Sequence, residues 1–143
     1  MRGYISRSRL LLALCAAALA LTLGAAAAYA AAKVTYSGQT SQHEAISLSI
    51  HAGKVSNLSF RIDVRCPHHQ TRRFTAHGFS SFALTGGHFD KKFKSPNGSV
   101  TAHVTGHLKG SRITGTVSFD DLPLSCSGKT KYVLHRQHRP AHH

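Results

Sequence analysis

The sequence is poor in the side chains from which catalytic sites are usually built. Among 143 residues there is no tryptophan, and only five residues are acidic. Asp63 alternates with arginines and is expected to belong to a charge pair, while Asp120 and Asp121 lie just before a Leu-Pro dipeptide, as in an ordinary turn. No Gly-x-Ser-x-Gly elbow, phosphate-binding loop or zinc-protease motif occurs. These absences predict a non-enzymatic protein with no catalytic residues and no cofactor.

The first thirty residues also lack acidic side chains, and their order is that of a secretory signal peptide. Arg2, Arg7 and Arg9 precede an apolar run over residues 10–28, and Ala28-Tyr29-Ala30 offers small residues where a signal peptidase requires them. We therefore expect residues 1–30 to be removed and the protein to be secreted or extracytoplasmic. An uncleaved anchor is the alternative, and this segment would then be the only contact with a membrane.

Cysteine is rare as well. Of three cysteines, Cys15 lies in the apolar run, so the mature chain keeps Cys66 and Cys126. Outside the cytoplasm, two cysteines in one small domain usually form a disulfide, and there is no Cys-x-x-Cys motif to indicate metal or redox chemistry. The sequence predicts a Cys66–Cys126 disulfide. The loss of chain entropy that it causes in the unfolded state should stabilise the fold by about 4 kcal/mol.

The mature chain is rich in two-residue alternation of apolar and polar side chains. Apolar residues at 46, 48 and 50, and again at 58, 60, 62 and 64, alternate with polar ones, and Gly, Ser, Asn and Pro separate the runs. We expect an all-β domain over residues 31–134, a single antiparallel β-sandwich or small β-barrel of about seven to eight strands. Residues 66–73 are expected to form an exposed loop, and residues 135–143 a flexible tail rich in His and Arg.

Turn residues predict the register of two hairpins. If Gly110-Ser111 forms a type II′ turn, every facing pair from 102/119 to 108/113 joins two residues of the same kind, apolar with apolar and polar with polar. A slip of one residue would pair apolar with polar residues. With Asn97-Gly98 as the central pair of the preceding hairpin, Phe89 faces Gly106 and covers both it and the facing Gly115.

A third hairpin is expected between the two alternating runs. His51-Ala52-Gly53 is interpreted as a three-residue loop with Gly53 in the left-handed region. A two-residue loop would place the apolar residues of the two runs on opposite faces of the sheet.

Basic residues dominate the charge. The chain has 18 Lys and Arg, a formal net charge of +13, and 12 histidines that add charge as the pH falls through about 6.5. Such a surface attracts anions, and the expected partner is an anionic cell-envelope polymer. Specific nucleic-acid binding is not expected, because the phenylalanines fall on core positions and leave no stacking platform. The candidate anion-binding residues are Arg72, Arg73, Lys92, Lys94, His103, His107, Lys109 and Arg112.

The histidines raise the question of a metal site. His103 and His107 would be neighbours on a helix, but on a strand their side chains lie about 13 Å apart, too far to share an ion. No recognised ligand spacing occurs, so no specific metal ligand is predicted.

One resemblance accompanies these patterns. The chain resembles small secreted β-rich proteins of actinobacterial type, through residues 36–40 (YSGQT), 53–55 (GKV), 58–60 (LSF), Cys66, Gly106, Gly110, Gly115 and 126–128 (CSG). The resemblance covers most of the mature domain and implies an exported β-domain with one disulfide. It brings no catalytic residues.

The sequence thus predicts an exported, non-enzymatic binding or structural β-domain of the cell envelope or exterior. Two alternatives stay open: a metal-binding protein or hydrolase that uses clustered histidines, and a β-barrel that holds a small apolar ligand.

Overall fold

A computed structural model describes residues 32–138, so the expected signal peptide and residues 139–143 of the expected tail lie outside the described range. The described part is all-β, as predicted, apart from one short 3₁₀ turn at Pro67–His69. Among these residues no helix is long and apolar enough to cross a bilayer. The strands are β1 (Val34–Thr40), β2 (Ala45–His51), β3 (Lys54–Cys66), β4 (Gln70–Ala76), β5 (Phe82–Ala83), β6 (His88–Lys94), β7 (Val100–Lys109), β8 (Arg112–Asp121) and β9 (Cys126–Arg136).

All nine strands belong to one antiparallel sheet that closes on itself in part. The order is β4-β3-β2-β1-β9-β8-β7-β6, and β5 pairs with β3. A further pairing of Arg65 with Ser127 joins β3 to β9 and closes β3, β2, β1 and β9 into a ring. Of the two predicted architectures, the small barrel is therefore the one observed, with β8, β7 and β6 extending from it.

The predicted disulfide lies at this closure. Cys66 ends β3 and Cys126 begins β9, and the two are bonded with their Cα atoms 4.1 Å apart. Each cysteine is the chain neighbour of a residue in the Arg65–Ser127 pair. The disulfide therefore fixes the strand pairing that closes the ring.

The alternating apolar residues fill the interior. The largest fully buried side chains include Tyr132, Phe60 and Leu134, each at most 2% exposed. Aromatic side chains then hold the extension in place. The ring of Phe82 lies 5.6 Å from that of Phe89 on β6, and the ring of Phe79 lies 4.4 Å from that of Phe93. The segment between β4 and β6 thus packs against β6, which is an edge strand of the sheet.

Both predicted hairpin registers are confirmed. On β7 and β8 the pairing runs from Val100 with Asp121 to Lys109 with Arg112, around Gly110-Ser111. On β6 and β7, Phe89 faces Gly106. A Cβ atom at Gly106 would lie 2.1 Å from Cζ of Phe89, so the ring does cover this glycine. At Gly115 the atoms nearest to such a Cβ are the carbonyl oxygen and carbon of Thr105 and the hydroxyl of Tyr132 rather than the Phe89 ring, so the expected cover of this second glycine is wrong.

The predicted three-residue loop between β2 and β3 is wrong. His51 pairs with Lys54, so the turn has two residues, Ala52 and Gly53, both with positive φ (48° and 70°). The apolar residues of the two strands still share one face. A β-bulge on β3 at Asn57, with φ 50°, adds one residue to this strand and returns the side chains beyond it to the predicted face.

Two boundaries also differ from the predictions. Residues 70–73 belong to strand β4 rather than to a loop, because they pair with β3 from Arg73 opposite Asp63 to Gln70 opposite Cys66. Strand β9 continues through His135 and Arg136, which pair with β1, so these two residues are not part of a flexible tail.

Candidate anion-binding face

The outward side chains of β6, β7, β8 and β9 form one continuous surface, which we call the basic face. The pairing of the four strands determines which side chains are neighbours on this surface. Its long side chains are solvent-exposed except for that of His103, which is partly covered. The face carries six permanent cations, four imidazoles and two carboxylates. They are Lys92, Lys94, Lys109, Arg112, Lys129 and Lys131; His88, His103, His107 and His135; Asp90 and Asp120.

One row across this face contains only basic side chains. Lys109 pairs with Arg112, and Arg112 pairs with His135 of β9. Like charges directly opposite each other on neighbouring strands are destabilising. Within residues 32–138 no carboxylate forms an ion pair with any member of this row. The row therefore presents uncompensated positive charge at one end of the face.

The lysines of β6 and those of β9 have different explanations. β6 is an edge strand, and lysines on an edge prevent pairing with other chains, so Lys92 and Lys94 have a structural role without any ligand. β9 is an interior strand paired on both sides. Lys129 pairs with Ser118 and Lys131 with Thr116 of β8, and the Lys131 carbonyl accepts a hydrogen bond from Ser41 N–H on the other side, so edge protection does not account for Lys131.

One imidazole of the face is held by a carboxylate. Nε2 of His103 lies 2.7 Å from Oδ1 of Asp90, diagonally across β6 and β7. Within the described residues no hydroxyl is hydrogen-bonded to the His103 ring, so the pair is not extended into a nucleophile–base–acid arrangement.

A second pair of imidazoles lies further along the same strands. His88 of β6 and His107 of β7 are direct partners, and their rings stack with centroids 4.0 Å apart and planes 8° from parallel. The pair borders an open depression of about 680 Å³, whose other walls include Thr85, Asp90 and Thr114. The sequence prediction did not pair these two histidines, although its alignment of Phe89 with Gly106 places them opposite each other.

Two of the eight predicted anion-binding residues do not belong to the basic face. Arg73 lies on β4, where its guanidinium is 3.0 Å from Asp63 and 2.5 Å from Glu44. The hydrogen bond to Asp63, together with the charges of both carboxylates, raises the pKa of Arg73. This guanidinium is neutralised already, and the expected charge pairing of Asp63 is confirmed. Arg72 points to the other face of the same strand.

The other six predicted residues do share the face. Lys92 faces His103 on the neighbouring strand, and Lys94 is the next outward residue of β6. His107 is two positions from Lys109 on β7. The structure adds Lys129, Lys131, His135 and His88 to them. On β9 the outward residues Lys129, Lys131 and His135 alternate with residues that are all buried, namely Thr130, Tyr132 and Leu134. This two-residue period is the sequence signal that could have placed them on the face.

Comparisons of the chain with protein-family models, with curated proteins and with solved structures find no match. Within residues 32–138 no group of three or more His, Cys, Asp or Glu side chains is arranged around a common point where an ion could bind.

Proposed function

We propose that this protein is an exported, non-enzymatic domain that binds an anionic polymer of the cell envelope through the basic face. The observation that carries the proposal is the row Lys109–Arg112–His135, together with the lysines of the interior strand β9. A folded protein gains nothing from opposing like charges unless something else compensates them. A bound polyanion supplies that compensation.

The spread of the charges favours a polymer over a small anion. His103 and Lys109 are six residues apart on β7, a distance of about 20 Å, and the four strands span about 14 Å across the face. The cations are distributed over this area and do not converge on one point. A chain of regularly spaced negative groups can contact many of them at once, whereas a single phosphate or carboxylate contacts only two or three.

The composition of the face argues against base-specific nucleic-acid binding. No outward position of β6, β7, β8 or β9 holds Phe or Tyr, while single-strand binders stack bases on such rings. Nucleic acid would therefore bind only as one more polyanion. Export is supported by the order of the first thirty residues and by the disulfide, since disulfides persist in oxidising compartments.

The test compares two double charge reversals that change the net charge equally. Lys129→Glu with Lys131→Glu alters the basic face, and Lys54→Glu with Arg61→Glu alters exposed positions on β3. Binding of the exported protein to long-chain polyphosphate is measured at several salt concentrations, with neutral dextran as the uncharged polymer. Circular dichroism and thermal unfolding verify that both variants fold.

We expect the face variant to bind polyphosphate at least about tenfold more weakly, with a salt slope smaller by about two, because each lysine lost removes about one counterion-release contact. The β3 variant is expected to stay within about threefold of the parent protein, since it loses only long-range attraction that salt screens. Equal weakening of both variants would show that net charge alone matters and would refute a binding face. Failure of the parent protein to bind at low salt would refute the function itself.

A further inference from the structure

The imidazoles of His88 and His107 are stacked because of the way their two strands pair. The backbone N–H and C=O of His88 are both bonded to Thr85, at 2.9 Å each, and Leu108 N–H donates to the carbonyl of Gly87 at 2.7 Å. His88 and His107 are therefore a non-hydrogen-bonded pair, the kind in which facing side chains approach most closely in an antiparallel sheet. This explains why the two rings are in contact.

The backbone that carries His88 is fixed on both sides. Thr85 and His88 exchange two hydrogen bonds around Gly86-Gly87, which have φ of 58° and 76°. On the other side, Phe89 is buried against Gly106. The Cα positions of the pair are thus set by the fold, while both rings are exposed and can turn about their side-chain torsions.

This geometry suits two ligands of one transition-metal ion. Metal–imidazole bonds of about 2.0–2.1 Å place two coordinating nitrogens about 3 Å apart. The rings are now stacked 8° from parallel, so to bind one ion both must turn out of the stack until their in-plane lone pairs converge. Two histidines four apart on one strand cannot do this, as the His103–His107 spacing shows. The open depression beside the pair leaves room for water at the remaining coordination positions.

The charges around the pair also permit a cation. Asp90 lies two positions along β6, and its other contact is the His103 ring. The nearest permanent cation along β7 is Lys109, about 7 Å further along the strand. Only two protein ligands are present, and copper(II) binds most tightly to such nitrogen sites among the divalent first-row ions.

We propose that His88 and His107 bind one Cu²⁺ ion across β6 and β7, with water at the remaining coordination positions. The site requires both imidazoles in their neutral form, so protons compete with the ion. This proposal does not rest on polymer binding, and it gives the metal-binding alternative a specific place in the fold.

The test uses the exported protein without an affinity tag, with His138, His142 and His143 replaced by Gln so that the tail does not bind copper. Cu²⁺ alone is titrated calorimetrically into this background protein, into His88→Gln and His107→Gln, and into the matched control His51→Gln. We expect one ion per chain in the background protein, affinity lower by at least about tenfold in each of the first two variants, and affinity within about twofold in the control.

A second readout identifies the ligands without relying on the variants. Paramagnetic Cu²⁺ at substoichiometric levels should broaden the ring resonances of His88 and His107 before those of any other histidine. Loss of affinity in only one of the two variants, or broadening that begins at His68 and His69, would overturn the proposal. So would a background protein that does not bind the ion at micromolar concentrations. Cu²⁺ affinity in the Lys129→Glu, Lys131→Glu variant is expected to stay within about twofold of the background protein at physiological salt, because both lysines lie on β9 and are screened from the pair, and this separates the two proposals.

Discussion

Substitution of Gly106 by alanine tests how the fold positions the basic face. A Cβ atom at this position would lie 2.1, 2.5 and 2.7 Å from three atoms of the Phe89 ring, far inside van der Waals contact. The ring is only 5% exposed and packs against Phe82, so it has no open space to move into. Either β6 separates locally from β7, or Phe89 leaves the core.

The two responses bracket the expected cost. Strained accommodation of an extra methyl group costs about 1–3 kcal/mol, and removal of a phenylalanine from a core costs about 3–5 kcal/mol. Alanine recovers up to about 1 kcal/mol through its lower backbone entropy. We therefore expect Gly106→Ala to lower the free energy of unfolding by about 2–4 kcal/mol.

The assay is urea unfolding followed by circular dichroism and tyrosine fluorescence, which is usable because the chain has no tryptophan. The control is a double-mutant cycle with Phe89→Ala. If the ring is the obstacle, adding Gly106→Ala to Phe89→Ala should cost less than about 0.5 kcal/mol. A penalty below about 0.5 kcal/mol in the parent background, or the full penalty in the Phe89→Ala background, would refute the reasoning.

Three further predictions follow from other parts of the fold. Replacing Cys66 and Cys126 together by serine should lower the free energy of unfolding by about 4 kcal/mol, measured in urea, because the bridge closes the ring over a separation of 60 residues; no change on replacement would contradict this. Burial raises the pKa of Tyr132, so the folded state holds its phenolic proton more tightly than the unfolded chain, whose tyrosines ionise near 10. The resulting stability is present below about pH 10 and is lost as the pH rises through the folded-state pKa, so the parent should lose stability above about pH 10 more steeply than Tyr132→Phe. At neutral pH Tyr132→Phe should cost about 1 kcal/mol, because the hydroxyl no longer donates to the Thr105 carbonyl; identical alkaline profiles would count against this account. Arg73→Gln should leave polyphosphate affinity within about twofold, because Asp63 and Glu44 already neutralise this guanidinium, and a tenfold loss would place Arg73 back among the binding residues.

The β7–β8 hairpin was predictable because several independent signals agree there. The glycine of the turn, the sorting of each facing pair by polarity and the two facing glycines all require one register. The same agreement extends to β6, where Phe89 needs a glycine opposite it. The Cys66–Cys126 disulfide was predictable for a simpler reason, since two cysteines allow one pairing.

The turn between β2 and β3 could not be predicted from alternation alone. The period of the apolar residues is preserved by two compensating irregularities, a two-residue turn and the bulge at Asn57. Residues 70–73 of strand β4 were missed because they are exposed on both faces of an edge strand and show no alternation.

The basic face was predicted in part, because its residues come from four strands. Lys92, His103 and Arg112 could be grouped from two hairpin registers. The contribution of Lys129 and Lys131 depends on the pairing of β8 with β9, which is set by tertiary packing. The stacked His88–His107 pair, by contrast, was implied by the predicted alignment of Phe89 with Gly106, one residue away on each strand.

The most direct test of the central claim is a nuclear magnetic resonance titration of the exported, ¹⁵N-labelled protein with long-chain polyphosphate at low salt. The proposed face predicts that the largest amide and side-chain shifts fall on β6, β7, β8 and β9, with Lys109, Arg112, Lys129 and Lys131 among the most affected, and that they disappear at high salt. Shifts of equal size on the exposed residues of β2 and β3, or no shifts on β6, β7, β8 and β9, would contradict it.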